Sequence, residues 1–180
     1  MGTEANVLEN AHTELQIDLE TQTKVKKEGK VAPEENGVVQ FGVRFLMTNP
    51  LCACEKLDRI FGSGSEAIVH HMWFESGQSL FDKMIQCNPS KSQEKLLRAL
   101  VDVQPRTGWG NVSLNFVHRN PPMVDVVVKN PPVKTVNGSR KYLIGSFWAG
   151  VLSRYFNRQL ICKNFSYDAE KEEFSCTVTI

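Results

Sequence analysis

His70 and His71 stand side by side in the run Ser65 to Gln86, with Glu66 and Glu75 around them. Glu66 with His70, and His71 with Glu75, are four residues apart, so each pair shares one face of a helix. Either pair could hold one edge of a metal ion. A structural zinc wants four ligands, mostly thiolate and imidazole, and neither pair offers a third. Solvated or core-edge histidines are the fuller account. The five cysteines are Cys52, Cys54, Cys87, Cys162 and Cys176. An odd number scattered over apolar stretches is no disulfide framework, and it reads as a reducing cytoplasm. Cys52-Ala-Cys54 lacks the two-residue spacer of the redox motif and has no partner pair, so plain thiols are expected.

Catalysis by a nucleophile needs a base and an orienting group, and acid–base work on a glycosidic or peptide bond needs paired carboxylates. No Gly-x-Ser-x-Gly, phosphate loop or nucleotide fingerprint occurs, and Gly62-Ser-Gly64 is too short to count. Asp168, Glu170, Glu172 and Glu173 lie in a lysine-containing turn, where a solvated loop explains them. No enzyme chemistry is expected. Net charge is +1 over 180 residues, with no basic stripe, so nucleic acid is a poor partner. No apolar run approaches the ~20 residues that span a bilayer, and no signal-peptide core opens the sequence. A cytoplasmic protein is the expectation.

The elements that would position these residues can be read from periodicity. Residues 1–36 are polar, charge-mixed and almost free of aromatics, the composition of a mostly disordered tail. The domain is expected over 37–180. Val39 to Met47 alternates as a strand does. Asn49-Pro50 reads as a helix start, with Cys54, Leu57 and Ile60 turned inward and Gly62 as the stop. A second helix is expected from Ser65 to Gln86, and a third, capped by Ser90 with Gln93, bears Leu96, Leu97, Leu100 and Val101. Gly108-Trp109-Gly110 opens a hairpin. One strand carries Val112, Leu114 and Phe116, and Met123 to Lys129 pairs back after Asn120-Pro121-Pro122. A long apolar helix, Tyr142 to Phe156, carries Gly145, Ala149 and Ser153 in a small-residue row that admits close approach. Strands Gln159 to Phe165 and Phe174 to Ile180 follow. Segregated blocks of this kind predict an α+β fold, an antiparallel sheet with helices packed on one face.

Three pieces now carry a family resemblance. They are Phe61-Gly-Ser-Gly-Ser-Glu-Ala-Ile-Val69 leading to Glu75-Ser-Gly77, then Gly108-Trp109-Gly110 before a strand. The third is Ser146-Phe-Trp-Ala-Gly-Val-Leu152, with the terminal hairpin ending at Cys176. In order and spacing they resemble the 4-vinyl reductase-type domain and its relatives, the TRAPP small subunits, from about Gly42 to Ile180. The resemblance implies an α+β fold that dimerises through helices and encloses an apolar pocket for a small hydrophobic ligand. It implies a sensor or scaffold, not a catalyst. In some relatives a zinc ion sits at the terminal hairpin on a Glu-x-x-Cys pair and a second Cys. Here Phe165 and Asp168 take the first two places and only Cys176 matches, with Cys162 as a substitute by strand shift. The ligand set is incomplete, so no cofactor is expected. Some TRAPP subunits bury an acyl chain on a cysteine near the end of an early helix, and Cys87 holds a comparable place.

The expected pocket lies between the Ser65–Gln86 and Tyr142–Phe156 helices. Its walls would be Met47, Met72, Trp73, Phe81, Met84, Phe116, Phe147, Trp148 and Val151, aromatic rings interleaved with adaptable methionines. The expected function is binding and sensing of a hydrophobic, aromatic or acyl molecule by a homodimer. The alternative is a TRAPP-like tethering subunit that uses the same surfaces on a heteromeric protein partner. A reductase of tetrapyrrole vinyl groups is the remaining alternative, and it needs a cofactor site that no motif supplies.

Overall fold

The computed structural model describes residues 38–40, 43–45 and 50–180, all within the unit Gly37–Ile180. The tail expected over 1–36 and the pocket residue Met47 lie outside the described residues. The sequence alternation from Val39 onward becomes two short strands, β1 (Val38–Gln40) and β2 (Val43–Phe45), paired antiparallel with Val39 opposite Arg44. A period of two survives a chain reversal, so alternation could not tell one strand from a hairpin.

Four helices follow in the described chain: α1 (Pro50–Phe61), α2 (Gly64–Cys87), α3 (Gln93–Val103) and α4 (Lys141–Tyr155). None is long and apolar enough to cross a membrane. Proline at the first position of α1 loses no helical hydrogen bond. Gly62 ends α1 in the left-handed region at φ +55, its amide bonded to the Asp58 carbonyl. Cys54 faces the core, but Ile60, expected inward, is 70% exposed. At about 100° per residue it sits about 120° round the helix from Cys54, while Asp58 takes the inward place. The Asp58 carboxylate accepts from the Ser65 hydroxyl and, at 3.3 Å, from the Ser139 amide. It thereby ties the end of α1, the start of α2 and the approach to α4. The cap of α3 is Ser92, not Ser90; its Oγ accepts from the Lys95 amide. Leu96, Leu97, Leu100 and Val103 are its buried residues, whereas Val101 is only partly buried.

The main sheet has four antiparallel strands in the order β3 (Asn111–Arg119), β4 (Pro122–Lys129), β6 (Glu173–Thr179), β5 (Ile161–Asp168). Register fixes its core face row by row. Val112, Val128 and Phe174 align, as do Leu114, Val126 and Cys176. A third row aligns Phe116, Val124, Val178 and Cys162. The middle strands bury these side chains almost completely, which is the alternation of a sheet covered on one face. Helix α4 covers it. Eleven of its residues, Leu143 through Ser153, are buried, because sheet, α2 and α3 surround it. The fold is α+β, with helices against an antiparallel sheet.

Candidate functional site

The crossing of α2 and α4 is the centre from which the candidate side chains radiate. A β-carbon at Gly77 would strike the Phe147 carbonyl and lie 3.1 Å from the Val151 nitrogen. One at Gly150 would strike the Phe74 carbonyl and lie 3.1 Å from the Gln78 nitrogen. The helices therefore meet backbone on backbone at this point. The small-residue row read from the sequence serves the other side of α4. A β-carbon at Gly145 would lie 2.6 Å from the Phe165 ring and 3.2 Å from Cys162 Sγ, so this glycine lets β5 approach. Ser153 Oγ donates to the Ala149 carbonyl at 2.6 Å and accepts from the Leu160 amide at 2.9 Å, fastening the helix to the strand that follows.

On one flank of the crossing the aromatic residues form a connected array. Trp73 meets Trp109 edge-on with centroids 5.1 Å apart, and Trp109 stacks on Phe147 at 6.1 Å and 13°. Phe147 meets Trp148 edge-on at 5.6 Å. Trp148 is buried, whereas Trp73 and Trp109 are half-buried. Trp109 is held in place by its glycine neighbours. Gly108 and Gly110 have φ of +81 and +87, and a β-carbon at Gly110 would lie 2.6 Å from the Lys129 carbonyl oxygen. The Gly108-Trp109-Gly110 motif thus turns an indole onto the α2–α4 pair, and Trp109 was the aromatic missing from the expected pocket walls.

The other expected wall residues are placed as follows. Phe81, Met84, Trp148 and Val151 are buried in the core, and Phe147 nearly so. Met72 is 55% exposed and points away from them. Phe116 is 37% exposed near the end of β3, among Tyr155, Phe156 and the Arg119 guanidinium. The structure brings Trp73, Phe147 and Trp148 together through Trp109, and it sets Met72 and Phe116 apart from that group. A separate, open cleft of about 340 Å³ lies by the end of α4. Glu75, Gln78, Arg154, Asn157, Arg158 and Gln159 make most of its lining, so it is polar.

On the opposite flank a polar chain runs through the interior. His70 Nδ1 is 2.7 Å from Ser146 Oγ, which is 3.8 Å from Cys162 Sγ. The Tyr142 ring meets His70 edge-on at 5.4 Å and Phe165 at 5.2 Å. The sequence carries no spacing signal for this polar chain, since its members come from three separate elements. His71, by contrast, is exposed.

The thiols divide by position. Burial pushes Cys162 up to about 11, against the Ser146 hydrogen bond, and pushes the deeper Cys176 higher still. Both are therefore protonated at neutral pH, whereas a metal or an electrophile takes the thiolate. Among the described residues no three His, Cys, Asp or Glu side chains converge as a metal site would require. Cys87 is the last residue of α2 and is exposed; Cys54 is buried and Cys52 exposed.

The chain has a partial likeness among solved structures. It is similar to the crystal structure of a vinyl-4-reductase family protein from Methanocaldococcus jannaschii. The two share 17% identity over 72% of this chain and 77% of that chain, with a TM-score of 0.44. No protein-family model and no curated protein matches the chain.

Proposed function

We propose that this chain is a non-enzymatic binding module that takes up a hydrophobic, aromatic or acyl molecule and works as a dimer in a reducing cytoplasm. The observation that carries the binding reading is the Trp73–Trp109–Phe147 array. Two half-buried indoles, Trp73 on α2 and Trp109 on the loop before β3, offer ring surface to an aromatic or acyl chain, and they cost little side-chain entropy to use. Intrinsic fluorescence tests it, since Trp73 and Trp109 are the accessible indoles and Trp148 is shielded. A panel of substituted benzenes and fatty acids should contain a compound that quenches the emission saturably and raises the melting temperature. Trp109→Ala should weaken that compound about two- to tenfold, the loss of one stacked ring. No saturable quenching by any member of the panel would remove the support for the reading.

The dimer reading rests on a separate feature. Phe61 overlies Gly64, and Ile68 and Met72 continue from Gly64 at four-residue steps along α2. Phe61 is 53% and Met72 55% exposed, beside Ile60 at 70%. A stripe of large apolar side chains in water favours association with a similar surface. Sedimentation equilibrium should give the mass of two chains, and Met72→Asp should return it to one. A single-chain mass for the unaltered protein would argue for a heteromeric partner of the scaffold kind.

A further inference from the structure

His70, Ser146 and Cys162 come from three different elements, α2, α4 and β5, and form one hydrogen-bonded chain. Ser146 is 0% exposed and Cys162 8%. The imidazole is walled by Phe74, with centroids 5.9 Å apart, and by the Tyr142 ring. The charged groups around it are few. On its own helix, Glu66 lies one turn back and is bound by Lys141 of α4, Nζ to Oε2 3.1 Å. The Lys141 ammonium also lies 5.1 Å from the centre of the Tyr142 ring. His71 adjoins His70 in the chain, and β5 contributes the Cys162 thiol. The nearby carboxylate is thus already committed to a lysine.

We propose that His70 and Ser146 form an acid-sensitive latch between α2 and α4, closed while the imidazole is neutral and loosened when it takes up a proton. A neutral imidazole can accept the Ser146 O–H at Nδ1 while the Ser146 oxygen accepts from the Cys162 S–H. An imidazolium donates from both nitrogens. The Ser146 hydroxyl must then turn round, and a full charge sits between two aromatic rings with no free carboxylate. Burial first, and His71 second, hold the His70 pKa below its usual 6.5. The unfolded chain therefore binds this proton more readily than the folded one. The stabilisation is complete above the unfolded value of about 6.5 and is lost as pH falls through the folded value. Cys162, at about 11, stays protonated across that window.

Urea unfolding of the full chain from about pH 7.5 to 5 tests the latch, with the His70 ring nitrogens followed by NMR over the same range. His70 should titrate below about 6.5, and the folding equilibrium constant should fall as pH drops from its unfolded to its folded value, by no more than about tenfold per pH unit, the limit for one proton. His70→Gln should lose that component of the slope. Amide exchange at Ser146 and Phe147, corrected for intrinsic rates, should be faster at the acid end. Titration of His70 at or above its unfolded value would overturn the proposal. So would an unchanged slope in His70→Gln, or equal protection at both ends of the range. If His70→Gln does not fold, the NMR titration and the exchange measurement on the unaltered chain decide the matter.

Discussion

Alanine at Gly77 is expected to cost the fold about 2–4 kcal/mol, although alanine is the better helix former by about 1 kcal/mol. The propensity gain is local, whereas the clash is with backbone. A methyl group at this position would press on the Phe147 carbonyl and approach the Val151 nitrogen, atoms fixed in α4. No rotamer change relieves the contact, so the helices must separate and give up packing along their whole crossing. Gly150→Ala should be comparably damaging, because its new methyl would press on the Phe74 carbonyl from the other side. Because both substitutions push the same two helices apart, the double variant should lose less than the sum of the singles. Urea midpoints for the three variants check this. Full additivity would mean that the two glycines do not share one crossing. A neutral Gly77→Ala would mean that the helices are not in backbone contact at all.

Removing the Trp148 side chain is expected to be as costly, for the opposite reason. It is the largest of the fully buried side chains, 1% exposed and packed against Phe147. Trp148→Ala should lose about 3–5 kcal/mol, combining the lost transfer energy of an indole with the cavity left behind. Total stabilities of domains this size run about 5–15 kcal/mol, so the variant should fold with a much reduced margin. An apolar cavity of that shape stays dry and accepts a matching guest. Free indole should therefore raise the melting temperature of Trp148→Ala and leave the unaltered protein unchanged at the same concentration. Failure of indole to rescue the variant would show that the neighbours collapse into the space.

The sequence was most informative where one physical signal acted alone. The strict alternation of Phe174, Cys176, Val178 and Ile180 predicted a strand with one covered face; β6 buries the first three, whereas Ile180 falls beyond the strand and is exposed. Tyr142 to Phe156 is apolar nearly all round, and α4 is enclosed on all sides as that pattern demands. The α+β class followed from the order of these blocks. Positions that depend on a tertiary partner were harder to read. Ile60 looks as apolar as Leu57, but Asp58 faces inward in its place because Ser65 and Ser139 bind its carboxylate. Met72 and Met84 lie twelve residues apart on one helix, and only Met84 is buried. Sequence alone could not say which side of α2 is covered. Likewise the row Gly145, Ala149, Ser153 announced a close approach but not its object, which at Gly145 is β5 and not a helix. The His70–Ser146–Cys162 chain spans 92 positions between its outer members and carries no spacing rule, so only the folded molecule reveals it.

The strand order carries a consequence for synthesis. The last strand, β6, lies between β4 and β5 and does not cap an edge. A ribosome makes Val124, Val126 and Val128 some fifty residues before it makes Phe174, Cys176 and Val178, the side chains registered beside them. Until residue 179 emerges from the exit tunnel, β4 can pair only with β3, and the inner half of the sheet is open. Between the emergence of β4 and that of β6 the nascent chain must therefore carry an unpaired strand edge, the condition under which holding chaperones are recruited.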